Sequence, residues 1–287
     1  MSPFRQITIV GVGLLGGSLA KICKQRGLAD KIVGFGRSAA KLEQAKRLGI
    51  IDTGLTDLRA SVAEADLVVL CSPVGMIVPL AREMAAHLQP GCIVTDVGSV
   101  KKSLVAAIEP LLPGSIHFVG SHPIAGGEKS GFETATADLF QGAKCIVTPT
   151  PKTDAAALAK IKELWEQTGM EVVELDVEEH DFIFGAVSHL PHVIAFVLMN
   201  TVGGIATKNY AEITSFSGGG LKDITRIASS NPVMWRDIFL SNKVPMLDLI
   251  DKFEKSLREV RSMIEKEDGG SLERTLETAN KHRLNLI

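Results

Sequence analysis

The sequence predicts a doubly wound α/β domain over residues 1–176, followed by an all-helical domain over residues 177–287. Short runs rich in Val and Ile recur through the first part of the chain, and helical patterns separate most of them. Such alternation is typical of a parallel sheet with helices on both faces. After Leu175 the strand-like runs stop, and apolar residues recur at helical spacing. A chain of 287 residues is long enough for two domains that each have a core.

The predicted strands are short, apolar and mostly without alternation, as expected of strands buried on both faces. They are residues 7–10, 31–35, 66–70, 92–95, 117–120, 145–148 and 171–175. Helical patterns lie over residues 14–27, 41–49 and 153–169, and each ends in a glycine that can act as a C-cap. Thr153 is the predicted N-cap of the third pattern.

Composition limits the classes of function. Charged residues make up 22% of the chain and the formal net charge is −2, so neither nucleic acid nor a membrane surface is an expected partner. No apolar run reaches about 18 residues, and no membrane-spanning helix is expected. The cysteines (Cys23, Cys71, Cys92 and Cys145) form no CxxC pair and have apolar neighbours. We expect reduced, buried thiols in a cytoplasmic protein, with neither disulfides nor a metal ion.

A glycine fingerprint follows the first predicted strand. GVGLLG, residues 11–16, fits G-x-G-x-x-G and opens a helix, which is the context that dinucleotide binding requires. Gly11 permits a tight turn, Gly13 lets the backbone approach a pyrophosphate, and Gly16 allows close packing of helix on strand. The start of the helix presents unpaired N–H groups to the phosphates. The motif predicts cofactor-binding residues Gly11, Gly13, Leu14, Leu15 and Gly16.

The end of the second predicted strand bears on the choice of cofactor. The segment GFGRS has Gly36 where NAD-binding domains carry an acidic residue, and Arg37 and Ser38 follow it. Because an arginine can hold a 2′-phosphate, we expect NADP to be favoured over NAD, with NAD left open. Ser72 and Pro73 follow the third strand at the carboxyl edge of the sheet, and we expect them to contact the cofactor.

Side chains that could act in catalysis or ligand binding occur at three further places. In GSHPIAGGEKSG, residues 120–131, His122 precedes Pro123 and lies among four glycines. Such a segment is either a plain turn or a loop that presents a titratable ring to a ligand. Ser99, in DVGSVK after the fourth strand, belongs to the same sheet edge.

The other two places are in the helical domain. VSHLPH places Ser188 and His192 four residues apart on one helix face, with His189 nearby. Pro191 should kink that helix. SGGGLKDITR is interpreted as a glycine loop that opens a helix, and it stacks Lys222 and Arg226 as an anion clamp.

Five motifs in this order, GVGLLGGS, DVGSVK, GSHPIAGGEKSG, VSHLPH and GGGLKDITR, resemble the prephenate/arogenate dehydrogenases over essentially the whole chain. The resemblance implies a Rossmann domain followed by a helical dimerisation domain. It implies oxidative decarboxylation of prephenate to 4-hydroxyphenylpyruvate, or of arogenate to tyrosine, with hydride transfer to NAD(P)⁺ in tyrosine biosynthesis.

The resemblance also implies roles by position. His122 matches the catalytic histidine at the ring hydroxyl, and Ser99 matches the serine beside it. Arg226 matches the arginine that recognises a substrate carboxylate. The remaining substrate-binding positions are Ser188, His189, His192, Glu128 and Lys222, the last from the anion clamp.

Alternatives remain open at this stage. β-Hydroxyacid dehydrogenases and imine reductases share this layout and often use a lysine of the second domain, for which Lys222 is the candidate. A dinucleotide-sensing protein without catalysis is a third interpretation. The choice between prephenate and arogenate is open, with prephenate favoured by analogy. We expect a homodimer through the helical domain, where the apolar stripe from Leu247 to Ile264 is either an interface or ordinary core.

Overall fold

The computed structural model describes residues 2–127 and 131–286. Its strands are β1 (Phe4–Val10), β2 (Ala29–Phe35), β3 (Thr53–Leu55), β4 (Leu67–Leu70), β5 (Ile93–Asp96), β6 (His117–Pro123), β7 (Lys144–Thr148) and β8 (Glu171–Glu174). Its α-helices are α1 (Leu14–Gln25), α2 (Ala39–Arg47), α3 (Leu58–Val62), α4 (Val74–Met84), α5 (Lys102–Ile108), α6 (Ala155–Gln167), α7 (Val177–Phe184), α8 (Leu190–Gly203), α9 (Gly219–Thr225), α10 (Pro232–Ser241), α11 (Lys243–Glu265) and α12 (Gly269–Leu284).

The strands described form one sheet in the order β3-β2-β1-β4-β5-β6-β7-β8. Neighbouring strands are parallel except β6 and β7, which run antiparallel. The strand order reverses at β1, so a crevice opens between the carboxyl ends of β1 and β4, where dinucleotides bind in such sheets. The fold class predicted from the sequence is confirmed, with one antiparallel pair added.

Most local predictions agree with the structure. Each predicted strand occurs, whereas β3, with three residues, was not predicted. Gly27, Gly49 and Gly169 each follow a helix with positive φ, the conformation of a C-terminal glycine cap. The predicted N-cap Thr153 is wrong. Its hydroxyl accepts from the backbone N–H of Thr150 at 2.8 Å, and Asp154 caps α6 instead.

The position of His122 differs from the prediction. Strand β6 continues through Pro123, so His122 lies within the strand and not in the loop after it. Antiparallel pairing with β7 extends β6 and sets His122 opposite Ile146. Gly120 and Pro123 resemble turn residues in the sequence, but the pairing overrides them.

Helices α7 and α8 form one continuous run through a π-helical turn, Gly185–His189. Pro191 lies just beyond that turn, so the kink expected there takes the form of a π-turn. The run Val177–Gly203 has a mean hydropathy of 1.9 over its most apolar window, of which 17% is buried. By length and composition alone it could cross a membrane, which the search for unbroken apolar runs did not anticipate.

Residue contacts divide the chain into a compact unit, Met1–Asn242, and a second unit, Lys243–Ile287. The second unit contains α11 and α12, with residues 266–268 between them. On α11, Leu247 and Leu257 are 53% and 59% exposed and Ile264 is 61% exposed. This stripe is therefore not core of the single chain.

Candidate active site

The turn between β1 and α1 has the geometry that a pyrophosphate needs. Gly11 has φ 104°, and a Cβ there would lie 2.9 Å from the carbonyl oxygen of Cys71. A Cβ on Gly16 would lie 2.4 Å from the carbonyl oxygen of Gly11, so only glycine allows the helix to pack this closely. At Gly13 no atom lies within 4 Å of an added Cβ. That open space faces the start of α1, at Leu14 and Leu15, where N–H groups are available for phosphate oxygens.

A cavity of about 460 Å³ adjoins this turn at the end of β2. Its lining residues are Val12, Gly36, Arg37, Ser38, Lys41, Leu42 and Phe132. Ser38 caps α2 by accepting from the N–H of Lys41, so the loop is ordered by the helix that follows it. The cavity brings two cations, Arg37 and Lys41, to the place where the ribose of a dinucleotide lies. Lys41 was not anticipated from the sequence.

Two other predicted cofactor residues stand at the edge of the crevice. The Ser72 hydroxyl donates to the carbonyl of Val10 at 3.1 Å, so the end of β4 is tied to the end of β1. Pro73 is the N-cap of α4. The residues present fit a nicotinamide dinucleotide, with the phosphates at the first turn of α1 and the adenosine end in the cavity.

His122 is half-buried, and its ring is held from one side. Its Nδ1 lies 2.9 Å from Nε2 of His180, in α7. Phe184 packs edge-on against the same ring, with centroids 4.9 Å apart. Burial lowers the pKa of His122 well below 6.5, and the neighbouring His180 and Lys101 oppose its protonation further. At neutral pH His122 is therefore a neutral base.

His180 is itself held by a carboxylate. Its Nδ1 lies 2.8 Å from Oδ1 of Asp181. Asp181 accepts the backbone N–H of Lys101 at 2.7 Å and that of Lys102 at 3.0 Å. His180 and Asp181 are 0% and 2% exposed. Helix α7 is thereby tied to the start of α5, at the carboxyl edge of the sheet.

A buried ion pair lies behind this arrangement. Lys101 pairs with Asp96, and both side chains are fully buried. Nζ of Lys101 also donates to the carbonyl of Ser121 at 2.8 Å, while Asp96 accepts the N–H of Ser121 at 3.1 Å. Burial lowers the pKa of Lys101 and Asp96 opposes that change. The network joins the turn that contains the half-buried Ser99 to the strand that carries His122.

A second polar group forms around His192. Its Nδ1 donates to the carbonyl of Ser188 at 2.8 Å, and its ring stacks on Trp235 with centroids 3.6 Å apart. Burial lowers the pKa of His192, and the charge of Arg226 adds to the effect. Nε1 of Trp235 is buried and has no hydrogen-bond partner among the described residues. The group thus offers a ligand three features. These are an acceptor on neutral His192, the N–H donor of Trp235 and the cation of the exposed Arg226.

His189 has a different environment. It is 1% exposed, and its Nδ1 accepts from Nδ2 of Asn242 at 3.0 Å. Burial lowers its pKa to about 4. The ring is a satisfied part of the interior, where it supports the neighbouring group.

The remaining candidates are less constrained. Lys222 is exposed on α9, four residues before Arg226. Glu128 lies outside the described residues. Sequence reasoning missed His180, Asp181, Lys101 and Trp235. An adjacent His and Asp at the start of a predicted helix, and a lysine two residues after Ser99, were the available signals.

The cysteines are free thiols, with Cys71 half-buried and the others buried. Burial raises the pKa of Cys23 and Cys92 to about 12, so neither is a reactive thiolate. Within residues 2–127 and 131–286, no three His, Cys, Asp or Glu side chains are grouped to hold a metal ion.

Comparisons with known proteins agree with this geometry. Residues 19–174 match the model of the prephenate dehydrogenase nucleotide-binding domain, and residues 176–278 match that of the prephenate dehydrogenase dimerization domain. The chain is 37% identical over 278 residues to the prephenate dehydrogenase of Bacillus subtilis, with coverage of 96% of this chain and 75% of the relative. It is 37% identical over 286 residues to the cyclohexadienyl dehydrogenase of Zymomonas mobilis, with coverage of 100% and 97%.

A solved structure extends the similarity to the whole fold. Prephenate dehydrogenase from Aquifex aeolicus, in complex with hydroxyphenyl propionate and NAD⁺, is 41% identical and superposes with a TM-score of 0.93. The match covers 99% of this chain and 98% of the other. The dinucleotide turn and the His122–His180 pair thus belong to a protein whose two parts both match one family of NAD(P)-dependent oxidoreductases. The chain is a member of the prephenate dehydrogenase family.

Proposed function

We propose that this chain catalyses the oxidative decarboxylation of prephenate, with His122 as the base at the ring hydroxyl. The observation that carries the residue assignment is the bond between His122 Nδ1 and His180 Nε2. It occupies one ring nitrogen and leaves the other for a substrate. The ring stands at the carboxyl edge of the sheet that also forms the dinucleotide turn.

The chemistry supplied by a bound nicotinamide dinucleotide is acceptance of one hydride. The hydride leaves the ring carbon that carries the hydroxyl, and neutral His122 accepts the hydroxyl proton as the C–O bond gains carbonyl character. The bond to the ring carboxylate then breaks, its electron pair makes the ring aromatic, and CO₂ leaves. His122 returns the proton to the phenolate oxygen. Ser99, in the adjacent turn, is assigned to the same hydroxyl.

The group around His192 is assigned to the rest of the substrate. Arg226 offers a planar fork that can bond both oxygens of a carboxylate. His192 and Ser188 supply polar atoms on the same helix face, and His189 supports that face from the interior. Lys222 adds a second cation, and Glu128 is retained as an acidic pocket residue.

The cavity at the end of β2 supports a preference for NADP. Arg37, Ser38 and Lys41 together provide two cations and one hydroxyl for a 2′-phosphate, and no carboxylate stands at Gly36. NAD can still bind through the shared contacts of the pyrophosphate turn.

The assembly proposed is a homodimer through the helical part of the chain, in the cytoplasm, with the domain division at residue 176. The stripe on α11 is exposed, and the apolar run Val177–Gly203 is mostly unburied within the chain. Apolar surface of this extent is covered when a second copy packs on it. Sedimentation at micromolar concentration should give twice the mass of the chain, 30.7 kDa. A monomer would contradict the homodimer.

The function is tested by initial rates at 340 nm with prephenate or arogenate, each with NAD or NADP. We expect the highest kcat/KM with prephenate and NADP. Activity with arogenate alone would reassign the substrate. If dinucleotide binds but no combination turns over, the sensing interpretation replaces the catalytic one. Reduction of a carbonyl or imine instead would support the other dehydrogenase class, with Lys222 as its candidate group.

A further inference from the structure

We propose that His180 and Asp181 are positioning residues that select the tautomer of His122, so that its Nε2 carries the lone pair that takes the substrate proton. The inference rests on the proposed function because it assumes that His122 is the base. Neither residue stands in any motif from which the function was first inferred. Both lie in α7, 58 residues or more beyond His122 in the chain.

The hydrogen bonds that link Asp181, His180 and His122 have a defined direction at Asp181, the buried end of the series. Asp181 accepts two backbone N–H groups, from Lys101 and Lys102, which are fixed donors at the start of α5. Both carboxylate oxygens are therefore oriented by the main chain. The oxygen nearest His180, Oδ1, is an acceptor, so Nδ1 of His180 must be the protonated ring nitrogen.

A neutral imidazole has one N–H, and this fixes the direction of the hydrogen bond between His180 and His122. With its proton on Nδ1, His180 presents a lone pair at Nε2. His122 lies 2.9 Å from that lone pair through its own Nδ1 and must donate to it. The proton of neutral His122 is thereby placed on Nδ1, and Nε2 is left as an acceptor.

The surroundings keep both rings neutral. Burial lowers the pKa of His180, and the charge of Lys101 acts in the same direction, whereas Asp181 and Asp96 oppose it. The pKa of His122 is lowered for the same primary reason. Phe184 packs against both rings, with centroids 4.9 Å and 4.7 Å away, and limits their rotation.

Packing alone does not require this arrangement. The two rings could be held by apolar contacts, and a buried carboxylate is costly unless each of its oxygens is bonded. Here the carboxylate accepts from two main-chain N–H groups and from a single ring. This is the arrangement of a third group that orients a base, as in the serine hydrolase triad.

The Asp181→Leu variant tests the proposal with an apolar side chain of similar size. It removes the acceptor of His180 Nδ1, and a buried ring N–H without an acceptor is unfavourable, so the proton of His180 moves to Nε2. Nε2 of His180 then donates to Nδ1 of His122, and the proton of His122 is left on its Nε2. We expect kcat to fall by roughly tenfold or more, while KM and the dinucleotide Kd stay within about threefold.

The matched control is Glu179→Gln, which removes a carboxylate from the same helix at an exposed position. We expect its kcat to equal that of the wild type within about twofold. His180→Asn is the second variant, for use if Asp181→Leu does not fold. It removes the acceptor of His122 and should also lower kcat with little change in dinucleotide Kd.

A direct readout does not need turnover. Spectra of ¹⁵N-histidine protein report which ring nitrogen carries the proton, with the His122 signals assigned from His122→Asn. We expect His122 protonated on Nδ1 in the wild type and on Nε2 in Asp181→Leu. A wild-type His122 protonated on Nε2 would overturn the proposal, as would Asp181→Leu with wild-type kcat. If the wild type does not act on prephenate, the proposed function fails, whereas the tautomer result still decides the positioning role.

Discussion

His122 and His180 come from a strand and a helix that are 58 residues apart, and they meet through one hydrogen bond of 2.9 Å between Nδ1 and Nε2. The bond joins the two halves of the family pattern, because His122 lies in the nucleotide-binding match and His180 in the dimerization match. The histidine pair therefore forms only when α7 packs against the sheet.

Replacing the base should affect turnover far more than binding. His122→Asn keeps a polar side chain but removes the proton acceptor, so we expect kcat to fall by about 10²–10⁴-fold with KM nearly unchanged. Initial rates at 340 nm measure kcat and KM, and dinucleotide Kd is the control. A kcat within about threefold of the wild type would show that another group accepts the proton.

Activity should depend on pH through His122. Its pKa is lowered below 6.5 by burial and by His180 and Lys101. The neutral, active form therefore prevails above that pKa, and kcat/KM should rise with pH through an acid limb whose midpoint lies below 6.5, then level off near neutrality. The residual rate of His122→Asn should lack this limb. A limb centred above 6.5 in the wild type would contradict the burial argument.

Removing the clamp arginine should weaken substrate binding. Arg226→Ala deletes a charge-assisted bond to a carboxylate, worth about 1.5–3 kcal/mol, so KM should rise by roughly 10- to 100-fold. Arg226→Lys keeps the charge without the planar fork, and we expect an intermediate KM. Dinucleotide affinity, measured by titration of tryptophan fluorescence, should not change. Equal losses of substrate and dinucleotide affinity would indicate a structural role.

Cofactor choice should respond to Gly36. A Cβ at this position would lie 3.5 Å from the nearest atom, on Leu42, so a side chain fits without displacing the backbone. Gly36→Asp places a carboxylate where a 2′-hydroxyl binds, and we expect KM for NADP to rise by about tenfold or more while KM for NAD falls. Arg37→Ala should raise KM for NADP alone. If both variants keep the wild-type ratio of kcat/KM for the two dinucleotides, the cavity does not bind the 2′-phosphate and does not determine the choice of dinucleotide.

Folding stability should fall in acid because of His189. Its pKa is lowered to about 4 by burial, so the unfolded chain binds a proton at higher pH than the folded chain does. Above about pH 6.5 the ring is neutral in both states and does not change the free energy of unfolding. As pH falls from 6.5 to 4, the free energy of unfolding decreases by roughly 3 kcal/mol. Thermal unfolding of the wild type should show this loss. His189→Asn should show a smaller difference between pH 7 and pH 4, and an equal difference would assign the effect elsewhere.

Local sequence signals were sufficient to predict the glycine turn between β1 and α1. The turn depends on three glycines within six residues, so their spacing in the sequence is enough to predict its geometry. They are Gly11, Gly13 and Gly16. Strand β3 was missed because three residues carry too little periodicity. Thr153 and Asp154 are both good caps by residue type, and the bond between Thr150 and Thr153 leaves Asp154 as the cap of α6.

The partners of His122 could not be predicted from local pattern. His180 and Asp181 carry no motif of their own, and their role depends on α7 meeting α5 across the sheet edge. The strand position of His122 depends on pairing with β7, which is a contact between distant segments. Long-range contacts of this kind decide tautomers and burial, and no short window of sequence contains them.

The π-helical turn Gly185–His189 sets the orientation of His192 relative to His180 along one continuous helix. One residue gained or lost in an α-helix rotates every later position by about 100°. The wider turn absorbs such a residue, so that His180 can meet the sheet while His192 meets Trp235 farther along the same helix. Removing one residue here would turn His192 to another side of the helix relative to His180, while leaving both side chains intact. We expect Ala186 and Val187 to tolerate changes of residue type more readily than a change of length. A single-residue deletion at Ala186, compared with a substitution there and assayed for kcat and KM together, measures that difference.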